Sequence, residues 1–262
     1  MDLGLRNKRA LVLASSQGLG RGVATALSAE GAVFTITGRD ASKLQDVAYQ
    51  IAAETGGEVD YIEADLADPD SARKIAEAVT ARRGGVDILV NNCGGPPPGT
   101  ARDITGEQVM AQTQAMIGSI IDLTNRLLPT MVERGWGRIL TLASSGVEQP
   151  IPNLAMSNTL RSALVGWTKS LATEVAAQGV TCNMLLPGRV DTARTRQIDE
   201  ANAKKQGKSV DDIRAASQAS IPMGRYGEVS EYAAVACFLC STPASYITGS
   251  KLRCDGGSIR SV

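Results

Sequence analysis

Lys8 to Ala32, KRALVLASSQGLGRGVATALSAEGA, is the stretch on which the fold turns. Ala10 to Ala14 is an apolar run with the length and composition of a buried parallel strand. The residues that follow, Ser15, Ser16, Gln17, Gly18, Leu19 and Gly20, are small or turn-forming. Beyond them Val23, Ala26, Leu27 and Ala29 recur at helical spacing, and Gly31 supplies a stop. Strand, glycine turn and helix in that order are the context a dinucleotide site requires. The glycines let the backbone approach a pyrophosphate, and the helix N-terminus offers free N–H groups and the positive end of its dipole. Glycines also punctuate ordinary βα loops, so the turn has to be weighed with the rest of the chain.

Working outward, the alternation repeats. A second strand, Val33 to Thr37, ends at Gly38-Arg39-Asp40. This is roughly 20 residues past the glycine turn, where a residue facing an adenosine ribose belongs. Arg39 would pair with a 2′-phosphate, whereas Asp40 would accept from a 2′-hydroxyl. Asp40 is also a good N-cap for a helix over Ala41 to Glu54, and Arg39 reads equally as a solvated surface arginine. The pair favours NADP(H) over NAD(H). A third strand is Val59 to Glu63. Asp68 and Pro69 predict the start of a helix that runs to Arg83 and stops at Gly84-Gly85. A fourth strand, Val86 to Asn91, enters Asn91-Asn92-Cys93-Gly94-Gly95-Pro96-Pro97-Pro98-Gly99. That run reads as a shaped loop at a strand's carboxyl end, where open α/β sheets bind ligands.

Helices over Ile104 to Met116 and Ile117 to Arg134 precede strand five, Arg138 to Ala143, with Ser144-Ser145 at its carboxyl end. A helix around Asn158 to Gln178 and strand six, Val180 to Leu186, follow, and Pro187-Gly188-Arg189-Val190-Asp191-Thr192 breaks the strand. The polar stretch 193–225 reads as a lid-like insertion, or as an exposed hairpin of helices with no gating role. Glu228 to Ser241 is the final helix and Ser250 to Cys254 the final strand. Strands alternate with helices throughout, with no internal repeat and no second core. The pattern predicts one domain over 1–262, a Rossmann-type doubly wound parallel sheet in three α/β/α layers.

Composition narrows the function. The 262 residues are 43% hydrophobic, enough for a full core without disulfides. Lys plus Arg and Asp plus Glu are 27 each, a balance that offers no electrostatic case for nucleic acid or an anionic membrane. The five cysteines, Cys93, Cys182, Cys237, Cys240 and Cys254, are odd in number and irregularly spaced, which argues for buried thiols in a reducing compartment. Histidine is absent, removing every His-based triad and His-ligated metal, and no metal site is expected. No secretory or membrane-spanning run is evident, so a cytoplasmic location is expected.

With these landmarks in place the sequence resembles a short-chain dehydrogenase/reductase over nearly its whole length. The family's Thr-Gly-x-x-x-Gly-x-Gly is similar to Leu13-Ala14-Ser15-Ser16-Gln17-Gly18-Leu19-Gly20, and its Asn-Asn-Ala-Gly to Asn91-Asn92-Cys93-Gly94. Its closing pattern matches Tyr246-Ile247-Thr248-Gly249 and Asp255-Gly256-Gly257. Asn92 to Gly99 and Glu133 to Arg138 are most similar to the 3-oxoacyl-(acyl-carrier-protein) reductase-like subgroup. The resemblance implies a cofactor-binding set of Ser15, Ser16, Gln17, Gly18, Leu19, Gly20, Arg39, Asp65, Leu66, Asn91, Cys93, Gly94, Arg161, Pro187, Gly188, Val190 and Thr192. It also implies a small-molecule carbonyl substrate and a homodimer or homotetramer.

The departures carry as much weight. Counted from flanking motifs, the family's catalytic serine falls on Ser144, its tyrosine on Ser157, its lysine on Arg161 and its helix-borne asparagine on Met116. Only Ser144 is retained. In the family, the tyrosine supplies a proton to the carbonyl oxygen and the lysine lowers the tyrosine's pKa and holds the nicotinamide ribose. Ser157 is a far weaker acid and far shorter, and Arg161 keeps the charge but does not readily give up a proton. Ser144, Ser157 and Arg161 are the expected catalytic set, with water as the proton source. Against this stand a packing role for Ser157, a ribose or carboxylate contact for Arg161, and two other functions for the chain. One is a catalytically degenerate NADP(H)-binding protein acting as sensor or non-redox catalyst. The other is a structural partner of an active sister chain.

Overall fold

The computed structural model describes residues 1–261. Its strands are β1 (Arg9–Val12), β2 (Val33–Gly38), β3 (Val59–Glu63), β4 (Ile88–Asn91), β5 (Gly137–Leu142), β6 (Val180–Pro187) and β7 (Lys251–Cys254). All pair in parallel, in the order β3-β2-β1-β4-β5-β6-β7. The helices are α1 (Gly18–Ala29), α2 (Ala41–Thr55), α3 (Ser71–Arg83), α4 (Gly106–Thr113), α5 (Ser119–Glu133), α6 (Ala155–Val175), α7 (Ala193–Gln206), α8 (Val210–Ala219) and α9 (Val229–Leu239). The chain moves outward from β1 to β3 and then crosses to β4 on the other side of β1. This reversal opens a crevice at the carboxyl ends of β1 and β4, where doubly wound sheets place ligands.

Successive strand residues point to opposite faces, so a continuous apolar run feeds two cores. Ala10 and Val12 pack with Val23 and Leu27 of α1, Leu44 and Ile51 of α2, and Ala236 of α9. Leu11 and Leu13 pack with Ile75 and Val79 of α3, Leu123 and Leu127 of α5, and Leu164 and Leu171 of α6. Each of the fully buried Val, Leu and Ile side chains among them contributes about 1.5–3 kcal/mol. Among the described residues no helix is long and apolar enough to cross a membrane.

At the amino ends of β1 and β4, Asp87 accepts from the backbone N–H of Arg9 at 2.9 Å and from its Nε at 2.8 Å. Arg134 stands 3.5 Å away. Burial alone would raise the Asp87 carboxyl, but hydrogen bonds from Arg9 and the charges of Arg9 and Arg134 outweigh it, and its pKa lies below the ordinary value. Four of the cysteines are buried, and burial pushes the Cys182 and Cys237 thiols up to about 12.

Several element boundaries shift by one to three residues from the sequence expectation, and two of the differences have a clear physical cause. α3 begins at Ser71 with Asp70 as its N-cap. Asp68 instead turns its carboxylate onto the N–H of Asp70 at 3.0 Å, a local turn that delays the helix by two residues. The helices expected over 104–116 and 117–134 form one continuous path. α4 runs into a π turn, Gln114–Gly118, and then α5, and the wider turn absorbs an extra residue without breaking the rod. Met116 lies in that turn, 1% exposed.

Candidate active site

The glycine turn sits at the carboxyl end of β1. Ser15 is fully buried, and its Oγ donates to the Val12 carbonyl at 2.7 Å while accepting from the Thr37 N–H at 3.2 Å, so it ties the turn to β2. Ala14 holds φ = +45°, the left-handed region that a side chain disfavours. Gln17, the N-cap of α1, makes no capping bond with its side chain, and the first N–H groups of α1 stay open to an anion. A Cβ on Gly18 would meet nothing within 4 Å, so the approach is clear. A Cβ on Gly20 would come within 2.7 Å of Asn92 Nδ2 and 2.8 Å of the Ala14 carbonyl, so only glycine fits there. Asn92 itself donates to the carbonyls of Leu13 at 3.2 Å and Ala14 at 3.1 Å. The loop after β4 is thereby latched to the turn.

Arg39 is exposed at the end of β2. The carboxylate of Asp40 is spent as the N-cap of α2, accepting from the Lys43 N–H at 3.0 Å. Lys43 donates its Nζ to Gln17 Oε1 at 2.7 Å, which brings a second cation beside the turn. Asp65 is exposed and accepts from the Ala67 N–H at 3.0 Å. Leu66 is buried, and its carbonyl accepts from Ser119 Oγ at 2.7 Å. Asn91 is fully buried, with Nδ2 on Thr124 Oγ1 at 3.2 Å. Cys93 is buried and Gly94 exposed.

At the end of β5, Ser144 accepts on Oγ from the Gly146 N–H at 3.1 Å, which leaves its own proton free to donate. A 3₁₀ turn, Ser145–Val147, follows. Two features sharpen this corner. Asn158 of α6 donates to the Ile151 carbonyl at 3.0 Å and accepts from its N–H at 3.3 Å, which pins the loop to the helix. Glu148 pairs with Lys251 at 3.1 Å and with Arg253 of β7. Burial would raise the Glu148 carboxyl, but these two cations hold it below its ordinary value. One helical turn apart on α6, Arg161 Nε donates to Ser157 Oγ at 3.3 Å, and Arg161 Nη1 donates to the Leu142 carbonyl at 3.0 Å. The guanidinium therefore lies at the carboxyl end of β5, near the start of the Ser144 corner.

Pro187 ends β6. Gly188 donates its N–H to the Cys254 carbonyl at 2.9 Å, and a Cβ there would stand 2.6 Å from Asp255 Cα. Val190 is buried and bridges to Gly227, and Thr192 caps α7 by accepting from the Thr195 N–H. Segment 193–225 carries α7 and α8. It is fastened at its base by buried Asp199, which accepts from Arg189 Nη1 at 2.7 Å and Tyr226 Oη at 2.9 Å. At its near end Arg194 Nη2 donates to the Pro96 carbonyl at 3.1 Å, joining α7 to the loop after β4. Tyr226 is thus committed to Asp199, and burial pushes its phenol up. Tyr246 is fully exposed beside Trp136 and Val180, at the amino ends of β5 and β6, the opposite end from Ser144. Tyr246 therefore lies away from the Ser144 corner.

Sequence reasoning passed over Lys43, Asn158 and Glu148, and treated Asn92 only as part of a motif. For Asn92 and Asn158, the signal available was a polar amide beside a Gly-rich turn. For Lys43 and Glu148 there was none, since their partners come from other elements.

An open helix N-terminus, a glycine turn and a serine on one carboxyl edge of a doubly wound sheet define a dinucleotide-binding α/β protein. The family model described as Enoyl-(Acyl carrier protein) reductase matches residues 13–258. A 3-oxoacyl-(acyl-carrier-protein) reductase of Aquifex aeolicus is 32% identical, over 98% of this chain and 99% of its own. An NADPH-dependent reductase of Bacillus subtilis is 29% identical, over 98% of this chain and all of its own. The crystal structure of L-sorbose reductase from Gluconobacter frateurii, complexed with NADPH and L-sorbose, superposes with a TM-score of 0.95 at 29% identity, covering 100% of both chains. The chain belongs to the short-chain dehydrogenase/reductase family, is similar to its 3-oxoacyl-(acyl-carrier-protein) reductases, and is an oxidoreductase.

Proposed function

We propose that the protein is an NADP(H)-dependent reductase of a small carbonyl compound, a 3-oxoacyl or other ketone, that works with an altered proton-donating corner. The observation that carries this reading is the sharing of one sheet edge by the uncapped N-terminus of α1 and the free hydroxyl proton of Ser144. The residues suit the cofactor. The α1 N–H groups and the clear approach over Gly18 receive a pyrophosphate, and Arg39 and Lys43 receive a 2′-phosphate. Asp65, the Cys93–Gly94 loop and the Pro187 to Thr192 turn border the remaining length. NADPH, when bound, supplies the hydride. Ser144 hydrogen-bonds the carbonyl oxygen through its hydroxyl and fixes its direction, which places a donor where negative charge develops. Arg161 adds a positive charge to the same region and orients the Ser157 hydroxyl. Water between Ser144 and Ser157 delivers the proton and is replenished from solvent, because the Ser157 side chain is far shorter than the tyrosine it replaces. Segment 193–225, held to the Pro96 loop by Arg194, covers the cofactor, and the chain assembles as a homodimer or homotetramer in the cytoplasm.

A second reading, an NADP(H)-binding protein with little redox activity, is favoured by the engagement of the Tyr226 phenol with Asp199 and by the place of Tyr246 at the amino ends of β5 and β6. Titration with NADPH, followed by assay against ketones and 3-oxoacyl thioesters, separates the two. Tight binding with turnover supports the reductase. Tight binding without turnover supports the second reading, and no binding removes both.

A further inference from the structure

We propose that the cavity at the amino ends of β5 and β6 is a binding site for a phosphate-type oxyanion, at the end of the sheet opposite the candidate active site. The cavity measures 440 Å³, Trp136, Arg138, Thr181, Ser245, Tyr246 and Thr248 contribute to its wall, and no aspartate or glutamate does. Arg138 is 2% exposed and donates to main-chain carbonyls alone, from Nε to Ser241 at 2.9 Å and from Nη1 to Gly137 at 2.8 Å and Gly179 at 3.4 Å. These neutral partners hold the guanidinium in place and supply no counter-ion. Burial accordingly lowers its pKa. Its Nη2 makes no hydrogen bond among the described residues and is not sealed from solvent, so a shielded, fixed cation keeps a free donor at the cavity. A buried charge in that state is costly, and an anion brought by a ligand removes the cost.

Shielded arginines elsewhere, outside the cofactor crevice, are matched with acids. Arg9 pairs with Asp87, Arg83 with Glu58 at 2.8 Å and Asp60 at 2.6 Å, and Arg189 with Asp199 at 2.7 Å. Around Arg138 the balance runs the other way. Its Cζ lies 4.4 Å from the centre of the Trp136 ring, and Lys8 Nζ lies 3.8 Å from the same ring. Neither cation is paired with a carboxylate among the described residues. The electron-rich indole eases the approach of two like charges, but it is neutral and leaves their net charge in place.

The rest of the wall suits a phosphate. Thr181, the register partner of Arg138 on β6, keeps a buried hydroxyl without a partner. Thr248 Oγ1 accepts from the Cys182 N–H at 3.1 Å, which leaves its proton free to donate. Ser245 is exposed at the rim. A guanidinium with hydroxyl donors around it matches a tetrahedral anion that accepts from several sides, whereas a carboxylate has two oxygens in one plane and engages fewer of them. Trp136 and the fully exposed Tyr246 add aromatic surface, so the phosphate is either free or carried by a small molecule whose ring stacks there. The cofactor does not account for the site. The glycine turn and Ser144 lie at the carboxyl ends of the strands, and Arg138 stands at the amino end of β5.

The test is a calorimetric titration of NADPH-loaded protein, whose cofactor phosphate positions are filled, with inorganic phosphate, phenyl phosphate and acetate at one ionic strength. Saturable binding of one phosphate is expected, about 10-fold or more tighter than acetate. Ser245→Asp places a carboxylate at the rim without touching Arg138 and weakens phosphate by about 10-fold, Lys8→Gln weakens it several-fold, and Arg138→Met abolishes it. If Arg138→Met does not fold, Ser245→Asp and Lys8→Gln decide. The absence of saturable phosphate binding, an equal affinity for acetate, or an affinity unmoved by Ser245→Asp and Lys8→Gln in variants with wild-type circular dichroism overturns the proposal. Phenyl phosphate binding more tightly than phosphate assigns the site to a ring-bearing phosphorylated molecule, and equal affinities assign it to phosphate itself; both uphold it. The same titration of cofactor-free protein, compared with its Ser245→Asp variant, locates the anion even where NADPH does not bind, so failure of the reductase reading leaves this test intact.

Discussion

Asn92 donates its side-chain amide to the carbonyl of Ala14 at 3.1 Å across 78 residues of sequence, and Gly20 leaves just the room for it. The loop after β4 and the turn after β1 thus form one rigid edge, so a change in either is felt by a nucleotide lying on both. Asn92→Ala removes two hydrogen bonds to carbonyls. The expected result is a loss of about 1–2 kcal/mol in stability and about a 10-fold weaker NADPH affinity. A fluorescence titration and a thermal melt check it, and an unchanged NADPH affinity refutes the latch.

Ala14 sits at φ = +45°. A side chain in that region costs roughly 1–2 kcal/mol, part of which is offset because alanine loses less chain entropy than glycine on folding. Ala14→Gly is expected to stabilise the protein by about 1 kcal/mol and raise Tm by about 2–4 °C. A lower Tm would show that the methyl group packs usefully.

The Asp87 carboxyl is held below its ordinary pKa despite burial, by hydrogen bonds from Arg9 and the nearby charges. Its stabilisation is therefore fully present above the unfolded carboxylate pKa of about 3.9 and is lost as pH falls through the lower folded value. Asp87→Asn should cost about 1–3 kcal/mol at neutral pH and flatten the acid limb of the stability curve. Urea melts between neutral and strongly acid pH test this, and parallel acid limbs in the two proteins would contradict it.

Ser157→Tyr combined with Arg161→Lys supplies a phenol and the amine that lowers its pKa. On a neutral ketone such as methyl acetoacetate, kcat should rise by about 100-fold or more, the usual scale of general acid catalysis. A fall in kcat would mean that the present serine and arginine are themselves tuned for the reaction.

Arg194 joins α7 to the Pro96 carbonyl at 3.1 Å. Arg194→Ala should free segment 193–225 from the loop and speed NADPH release several-fold without lowering Tm appreciably, since surface contacts of this kind contribute little to global stability. Stopped-flow displacement measures the release rate. An unchanged rate would show that the segment does not cover the cofactor.

The strands, their parallel stacking and the position of the glycine turn were legible in the sequence because they depend on short-range patterns. Apolar runs such as Ala10 to Ala14 and stops such as Gly84 act within a few residues of themselves. Asp40 was legible as a cap for the same reason. The start of α3 was not, because Asp68 and Asp70 are both competent caps and only the folded turn chooses between them. The continuity of α4 and α5 was hidden because a π turn has no sequence period of its own.

The sequence by itself therefore determined the doubly wound architecture, the family, and the placing of serine and arginine where a tyrosine and a lysine are expected. The tertiary structure alone decided which groups are spoken for. It engages Tyr226 with Asp199, latches Asn92 to Ala14, and leaves Arg161 buried beside Ser157 without a counter-charge. Hydrogen-bond partners and burial are set by segments far apart in the chain, and whether a charge is compensated depends on what packs around it.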